Sequence, residues 1–219
     1  MREVFHHELD QLADGLIGMT ELVGQAIDDA TRALLEADLQ LAESVIAADA
    51  RVDAAQAELD ERAIELLARQ APVATDLRVV VAALRMSSSI ERMGDLARHV
   101  AQQTRLRFPR SVVPESLAPT FEKMGQTAQR LSGEAGDLIR TRDLAAAAKL
   151  ESDDDLLDQL HRQVFTRMMA ADWTEPAETT VDVTLLSRFY ERFGDHAVSV
   201  ARRVVFLVTG DYSGSTLGE

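Results

Sequence analysis

The chain contains no cysteine, which excludes disulfides and thiolate-held metals and fits a reducing compartment. It has five prolines, three of them inside residues 108–119, so little elsewhere interrupts a helix. Aromatic residues make up only 5% and glycines number 11, while Ala, Leu, Arg, Glu and Asp dominate, a composition that favours long helices over sheets. The β-branched stretch RVVVAAL (78–84) runs without a turn signal into a helical pattern and reads as helix. No apolar run reaches the roughly 20 residues that a bilayer span requires, and the amino terminus, MREVFHHELD, lacks the apolar core of a signal peptide. The expected location is cytoplasmic, with no membrane insertion. Basic residues are also scarce, 23 against 37 acids for a net charge of −14. A polyanion would bind against that field, so nucleic acid is not an expected partner; cations and basic protein surfaces suit it better.

What is present is repetition. ERMGDLARHVA (91–101) and ERFGDHAVSVA (191–201) lie one hundred residues apart and share a Glu-Arg-x-Gly-Asp-x-Ala frame. At an offset of 105, Met19 meets Met124, Asp38-Leu39 meets Asp143-Leu144, Asp49 meets Asp154 and Asp53 meets Asp158. A loop five residues shorter in the second half accounts for the change of offset, and the chain reads as a duplication.

Each half reads as three long helices. The first half has periodic segments over 4–36, 38–69 with Asp38 as N-cap, and 75–107. There the Pro break in QAPVATD (70–76) leaves Thr75 or Asp76 as the next cap. The second half has them over 120–141, 143–171, and from the EPAETT turn (175–180) to 209. Short connections make consecutive helices antiparallel neighbours. The expected fold is all-α: a three-helix repeat over 1–107, a Pro-rich linker over 108–119, a second three-helix repeat over 120–209 related to the first by a pseudo-twofold, and a flexible tail over 210–219.

At about 100° per residue, Glu91 and Asp95 share one helix face, about 40° apart. Met86, Ile90, Met93, Leu96, Ala97 and Val100 lie largely opposite, which places the acids on an outer face. Glu191 and Asp195 repeat the arrangement against Leu186, Phe193, Val200 and Val204. Like charges at i,i+4 cost about 0.2–0.5 kcal/mol, and a glycine inside a helix (Gly94, Gly194) costs about 1 kcal/mol relative to alanine. A hard cation would offset the repulsion, because carboxylates bind it singly or bidentately. Asp49/Asp53 and Asp154/Asp158, at the edge of the second helix's apolar stripe, supply the further oxygens. The candidate ligands are therefore Glu91, Asp95, Asp49 and Asp53 in one repeat and Glu191, Asp195, Asp154 and Asp158 in the other, for Fe, Mn, Mg or Zn. The plainer reading, solvated acids neutralised by Arg92 or Arg192 and glycines serving tight packing, stands beside it.

No nucleophile triad, P-loop, dinucleotide-binding glycine set or His-Glu-x-x-His occurs, so no enzyme is expected. Glu3-x-x-His6 and Asp158-x-x-His161 have carboxylate-bridge spacing, but the paired Glu-x-x-His helices of di-iron bundles are absent as a set. His99 is close enough along its helix to Asp95 to serve as a ligand. Asp76 and Arg78 read as a helix-start charge and a solvated base, with part of a docking surface as the alternative. The alternatives are a carboxylate-bridged, ferritin-like di-metal oxidase and a metal-free helical interaction module.

QAPVATDLR, SSIERMGDLARHVA and RFYERFGDHAVSVA, set in a duplicated six-helix pattern, resemble the PhoU family of phosphate-uptake regulators, and the wording is similar to its actinobacterial PhoY branch. The resemblance covers nearly the full chain. It implies two three-helix bundles in a cytosolic, non-enzymatic regulator, expected as a homo-oligomer, a dimer. That regulator would act between a phosphate ABC transporter and a membrane sensor histidine kinase and repress phosphate-starvation genes when phosphate is plentiful. It also implies multinuclear iron or other metal clusters on the Glu-x-x-x-Asp motifs, here the eight acids above. Where the family often has Asn eight residues after the motif Glu, this chain has His99 and Ser199. Its second repeat also has EPAETTVDV in place of the PVATDLR entry.

Overall fold

Helix starts fall where short acidic side chains and prolines place them. In the computed structural model, which describes residues 2–211 with side chains from residue 7 onward, Asp38 caps the second helix by accepting the Leu41 N–H at 3.0 Å. Asp143, its counterpart 105 residues on, caps the fifth by accepting the Ala145 N–H at 2.8 Å. Six helices result: α1 (Arg2–Glu36), α2 (Leu39–Gln70), α3 (Ala74–Arg107), α4 (Ala118–Thr141), α5 (Leu144–Met168) and α6 (Ala177–Thr209). RVVVAAL lies within α3, and no strand occurs among the described residues. Residues 212–219 of the tail, and the side chains of Glu3 and His6, lie outside what is described.

Three boundaries differ from the sequence reading. The third helix opens at Ala74 behind an extended Val73 that gives no side-chain cap, leaving Asp76 in the first turn, where its charge faces the positive end of the helix dipole. The fourth begins inside the Pro-rich segment, because Pro119 sits in its first turn, where no N–H is needed. The fifth stops at Met168. Beyond it the chain folds back on itself: the Trp173 backbone N–H reaches the Ala170 carbonyl at 3.0 Å and its indole N–H donates to Thr180 Oγ1 at 3.0 Å.

Helices α1, α2 and α3 form one three-helix bundle and α4, α5 and α6 the other, with α1 packed on α4 and α3 on α6. The expected stripes are buried, and one continuous apolar core runs through both bundles, with Phe121, Phe193 and Tyr190 among its largest members. Because each helix at the seam meets its own counterpart, seam contacts occur in symmetric pairs. On α1–α4, a Cβ on Gly136 would stand 2.5 Å from Thr20 Oγ1, and one on Gly125 would strike the Thr31 side chain. Adding 105 to 20 and 31 gives 125 and 136, so these are one contact seen from both ends. On α3–α6, Ser89 bonds Ser199 at 3.4 Å and the His99 ring lies 5.3 Å from that of Phe189. Positions 89 and 99 become 189 and 199 at the offset of 100. The glycines let backbones approach where threonine fills the space opposite, and Thr31 also bonds the buried Tyr190 hydroxyl at 2.8 Å.

Candidate functional site

In the first repeat the acids of α3 face α2 across a groove. Gly94 allows the approach, since a Cβ there would lie 3.2 Å from Val52 Cγ1. The groove walls cover more of the acids than the sequence reading expected. Asp49 is only 7% exposed and the side chains of Glu91 and Asp95 are 19% and 14% exposed, with Asp53 open to solvent. The outer-face placement is corrected accordingly: a helical wheel locates a residue relative to its own helix's core stripe, not relative to the edge of the next helix.

That groove contains its own counter-charge. Arg98 donates from Nη1 to Asp49 Oδ2 at 2.5 Å and from Nη2 to Asp95 Oδ1, joining α2 to α3. Arg92 donates to Asp95 Oδ2 at 2.8 Å and lies 3.7 Å from Glu91. Burial, opposed by Arg98, raises the Asp49 carboxyl above its ordinary range, and burial together with Asp95 raises that of Glu91.

The second repeat keeps the acids and loses the arginine, because Val198 stands where Arg98 does. Glycine is required here more strictly: a Cβ on Gly194 would collide with Asp154 Oδ1 and lie 2.7 Å from Leu157 Cδ1. Asp154 is thus pressed against the α6 backbone among Glu191, Asp195 and Asp158. Burial first, then Asp195, Asp158, Glu191 and Asp155, push its carboxyl up to about 7. Burial and Asp195 raise Glu191 as well, against Arg188, which bonds Glu191 Oε1. The side chain of Glu191 is 12% exposed. Asp154 Oδ1 and Glu191 Oε2 are buried without a hydrogen-bond partner, a costly state for carboxylate oxygens.

The donor chemistry of this second groove, four carboxylates with two orphaned buried oxygens, fits a hard cation. Among the described residues no three His, Asp or Glu side chains already converge on one point as a finished cage. The first groove fits a cation less well, since a guanidinium already bridges two of its oxygens. Both sets lie in grooves on the bundle surface, not in the apolar bundle interiors where a ferritin-like oxidase would need them.

Several expectations change. His99 is turned toward Phe189 and Ser199 toward Ser89, so both belong to the seam between bundles, and His99 is not aimed at the acid groove. His161 is engaged by Ser187 Oγ at 2.9 Å and by the Phe165 ring in a T-shaped contact. Arg78 is not a solvated base: it donates to Thr75 Oγ1 at 3.2 Å, lies 5.9 Å from the Phe206 ring centroid and packs against Gly210, joining the start of α3 to the end of α6. At the opposite end of the same pair, buried Asp182 accepts from Arg107 Nε at 2.6 Å and Gln103 Nε2 at 2.5 Å. Sequence reasoning missed this clamp, which has no counterpart in the motif frame. The role of Arg98 did leave a signal, the Arg/Val mismatch between otherwise aligned motifs.

The family description "PhoU domain" matches residues 16–104 and 121–204, one match on each repeat. The chain is 46% identical over 212 residues to the phosphate-specific transport system accessory protein PhoU homolog 1 of Mycobacterium leprae, covering 97% of this chain and 96% of that protein. It is equally similar, at 46% over 212 residues, to PhoU homolog 2 of Mycobacterium tuberculosis, covering 97% and 100%. The crystal structure of PhoU from Pseudomonas aeruginosa superposes with a TM-score of 0.82 at 28% identity, covering 94% of this chain and 100% of that one. The phosphate transport system regulatory protein PhoU from Streptococcus pneumoniae shares the fold at a TM-score of 0.83 and 24% identity, covering 95% and 98%.

Proposed function

The chain belongs to the PhoU domain family, and from that premise we propose that it is a regulatory accessory protein of a phosphate-specific transport system. It restrains phosphate uptake and the phosphate-starvation response. The observation that carries this reading is the near full-length similarity, at 46% identity, to proteins named for that role. Its mechanism is binding and not turnover. As a homodimeric adaptor on the cytoplasmic side, it engages the cytoplasmic parts of a phosphate ABC transporter and a sensor histidine kinase.

The acid grooves supply the metal side of the proposal. Asp154 and Asp158 on α5, with Glu191 and Asp195 on α6, would hold a hard cation of the Fe, Mn, Mg or Zn class; bound there, it would neutralise the charge between the two helices. Glu91, Asp95, Asp49 and Asp53 form the corresponding set of the first repeat. The two orphaned oxygens, Asp154 Oδ1 and Glu191 Oε2, support the second set in particular.

The test is replacement of the native copy by variants in phosphate-replete cells, read by a phosphate-starvation reporter and by co-purification of transporter and kinase. Loss of the chain should derepress the reporter, and Asp154→Asn with Glu191→Gln should reduce repression while leaving helicity intact. A silent reporter after loss of the chain would remove the regulatory role. Full repression by the double variant would remove the metal site from the mechanism.

A further inference from the structure

We infer that Arg98 is a tethered counter-ion that fills the first repeat's carboxylate groove in place of a cation, so that cation binding by this chain is confined to the second repeat. The second half of this inference rests on the metal reading above. The two grooves descend from one duplicated frame. Each has an α-helical Glu-Arg-x-Gly-Asp facing an Asp-x-x-x-Asp on the preceding helix, and they differ at the residue three beyond the motif Asp: Arg98 in one, Val198 in the other.

Arginine is suited to this substitution for a cation. Its guanidinium is planar, remains charged at any physiological pH and presents paired donors that can serve two carboxylates at once. Arg98 uses them in that way, holding Asp49 on α2 and Asp95 on its own helix. A metal entering the groove would have to displace a guanidinium bonded to a buried carboxylate. It would leave Arg98, whose Nε is already buried without a partner, with fewer acceptors still. Removing one partner of such a pair strands the other charge and costs far more than the pair itself contributes.

Among the described residues no arginine bridges two acids of the second groove as Arg98 does, although Arg188 and Arg192 both act electrostatically on Glu191. Val198 is buried and apolar. Arg188 reaches only Glu191, from an exposed position, and Arg202 is turned away to Glu151 at 2.9 Å. The two grooves therefore do the same mechanical work under different control. In the first bundle the acids facing each other across α2 and α3 are bridged by a covalently attached charge; in the second, the acids facing each other across the packed α5 and α6 are bridged when a cation is supplied.

The experiment uses the full chain, stripped with chelator and titrated with Mn²⁺, read by metal content and by the thermal midpoint of the metal-free form. Bound Mn²⁺ should be lost in Asp154→Asn and kept in Asp49→Asn. Arg98→Val should double the metal bound and lower the metal-free midpoint, with Mn²⁺ restoring it. Arg98→Lys, which keeps a charge but not the two-carboxylate bridge, should fall between wild type and Arg98→Val. Val198→Arg should abolish metal binding and raise the metal-free midpoint. Metal that survives Asp154→Asn and is lost in Asp49→Asn overturns the inference, as does an Arg98→Val protein unchanged in both metal content and midpoint. If the wild type takes up no Mn²⁺, the metal reading and the confinement to the second repeat fall together. The tethered counter-ion then stands only if Arg98→Val lowers the midpoint and Val198→Arg raises it.

Discussion

Asp154 concentrates the chemistry of this chain in one carboxyl group. Burial and the surrounding carboxylates push its folded pKa up to about 7, well above the ordinary aspartate range, so between the two the folded state holds a proton that the unfolded chain releases. The contribution to stability is fully present below about pH 4 and is lost as pH rises from there through 7. Metal-free protein should therefore show a thermal midpoint that falls across this window, and Asp154→Asn should flatten that slope and raise the midpoint at neutral pH. Cation binding runs the other way: it needs the carboxylate, so Mn²⁺ affinity should weaken as pH drops below 7. Gly194 enforces the arrangement. Gly194→Ala should cost about 1–3 kcal/mol in chemical denaturation, because the new methyl group meets Asp154 and Leu157. Gly94→Ala should cost less, since only valine side chains must yield. The acids themselves were legible from their repeated spacing. Arg98 left only the Arg/Val mismatch between the aligned motifs, because an arginine on the polar side of an amphipathic helix otherwise looks like any solvated base until its neighbour is known.

At the scale of helices, the capping aspartates and prolines made most boundaries legible. Asp38→Ala and Asp143→Ala should each cost about 1 kcal/mol, typical of an N-cap, with urea unfolding as the check. The missed boundaries share a cause: the start of α3 has no side-chain cap, and the end of α5 is set by Trp173 closing onto Thr180, a contact that no local pattern announces. The depth of the acid grooves was hidden for a related reason, since periodicity reports direction about one helix axis and not the overlap of two. The α3–α6 pair is held at one end by Arg107 on Asp182 and at the other by Arg78 against α6's last turn. Arg107→Met would leave Asp182 buried with only Gln103, so it should lower the thermal midpoint clearly, whereas Glu178→Gln, on the exposed side of the same arginine, should hardly move it.

Across the whole molecule, the duplication was legible and its contacts were not. Offsets of 105 and 100 identify corresponding residues, but which of them touch depends on the pseudo-twofold that brings α1 to α4 and α3 to α6. The symmetric Thr–Gly contact makes a direct check. Gly136→Thr should destabilise the chain by crowding Thr20, and adding Thr20→Gly should restore much of the loss, a coupling that a double-mutant cycle measures.

The same contact bears on which surfaces this fold still recognises. Two first halves brought together in the seam's geometry would set Thr20 against Thr31, side chain on side chain where one partner must be bare. Two second halves would set Gly125 against Gly136 and leave an unfilled gap. The seam's geometry thus suits the unlike half and opposes like with like, by collision in one wrong pairing and by emptiness in the other. Crowded beside identical chains, each half is steered to the complementary half and away from its own likeness.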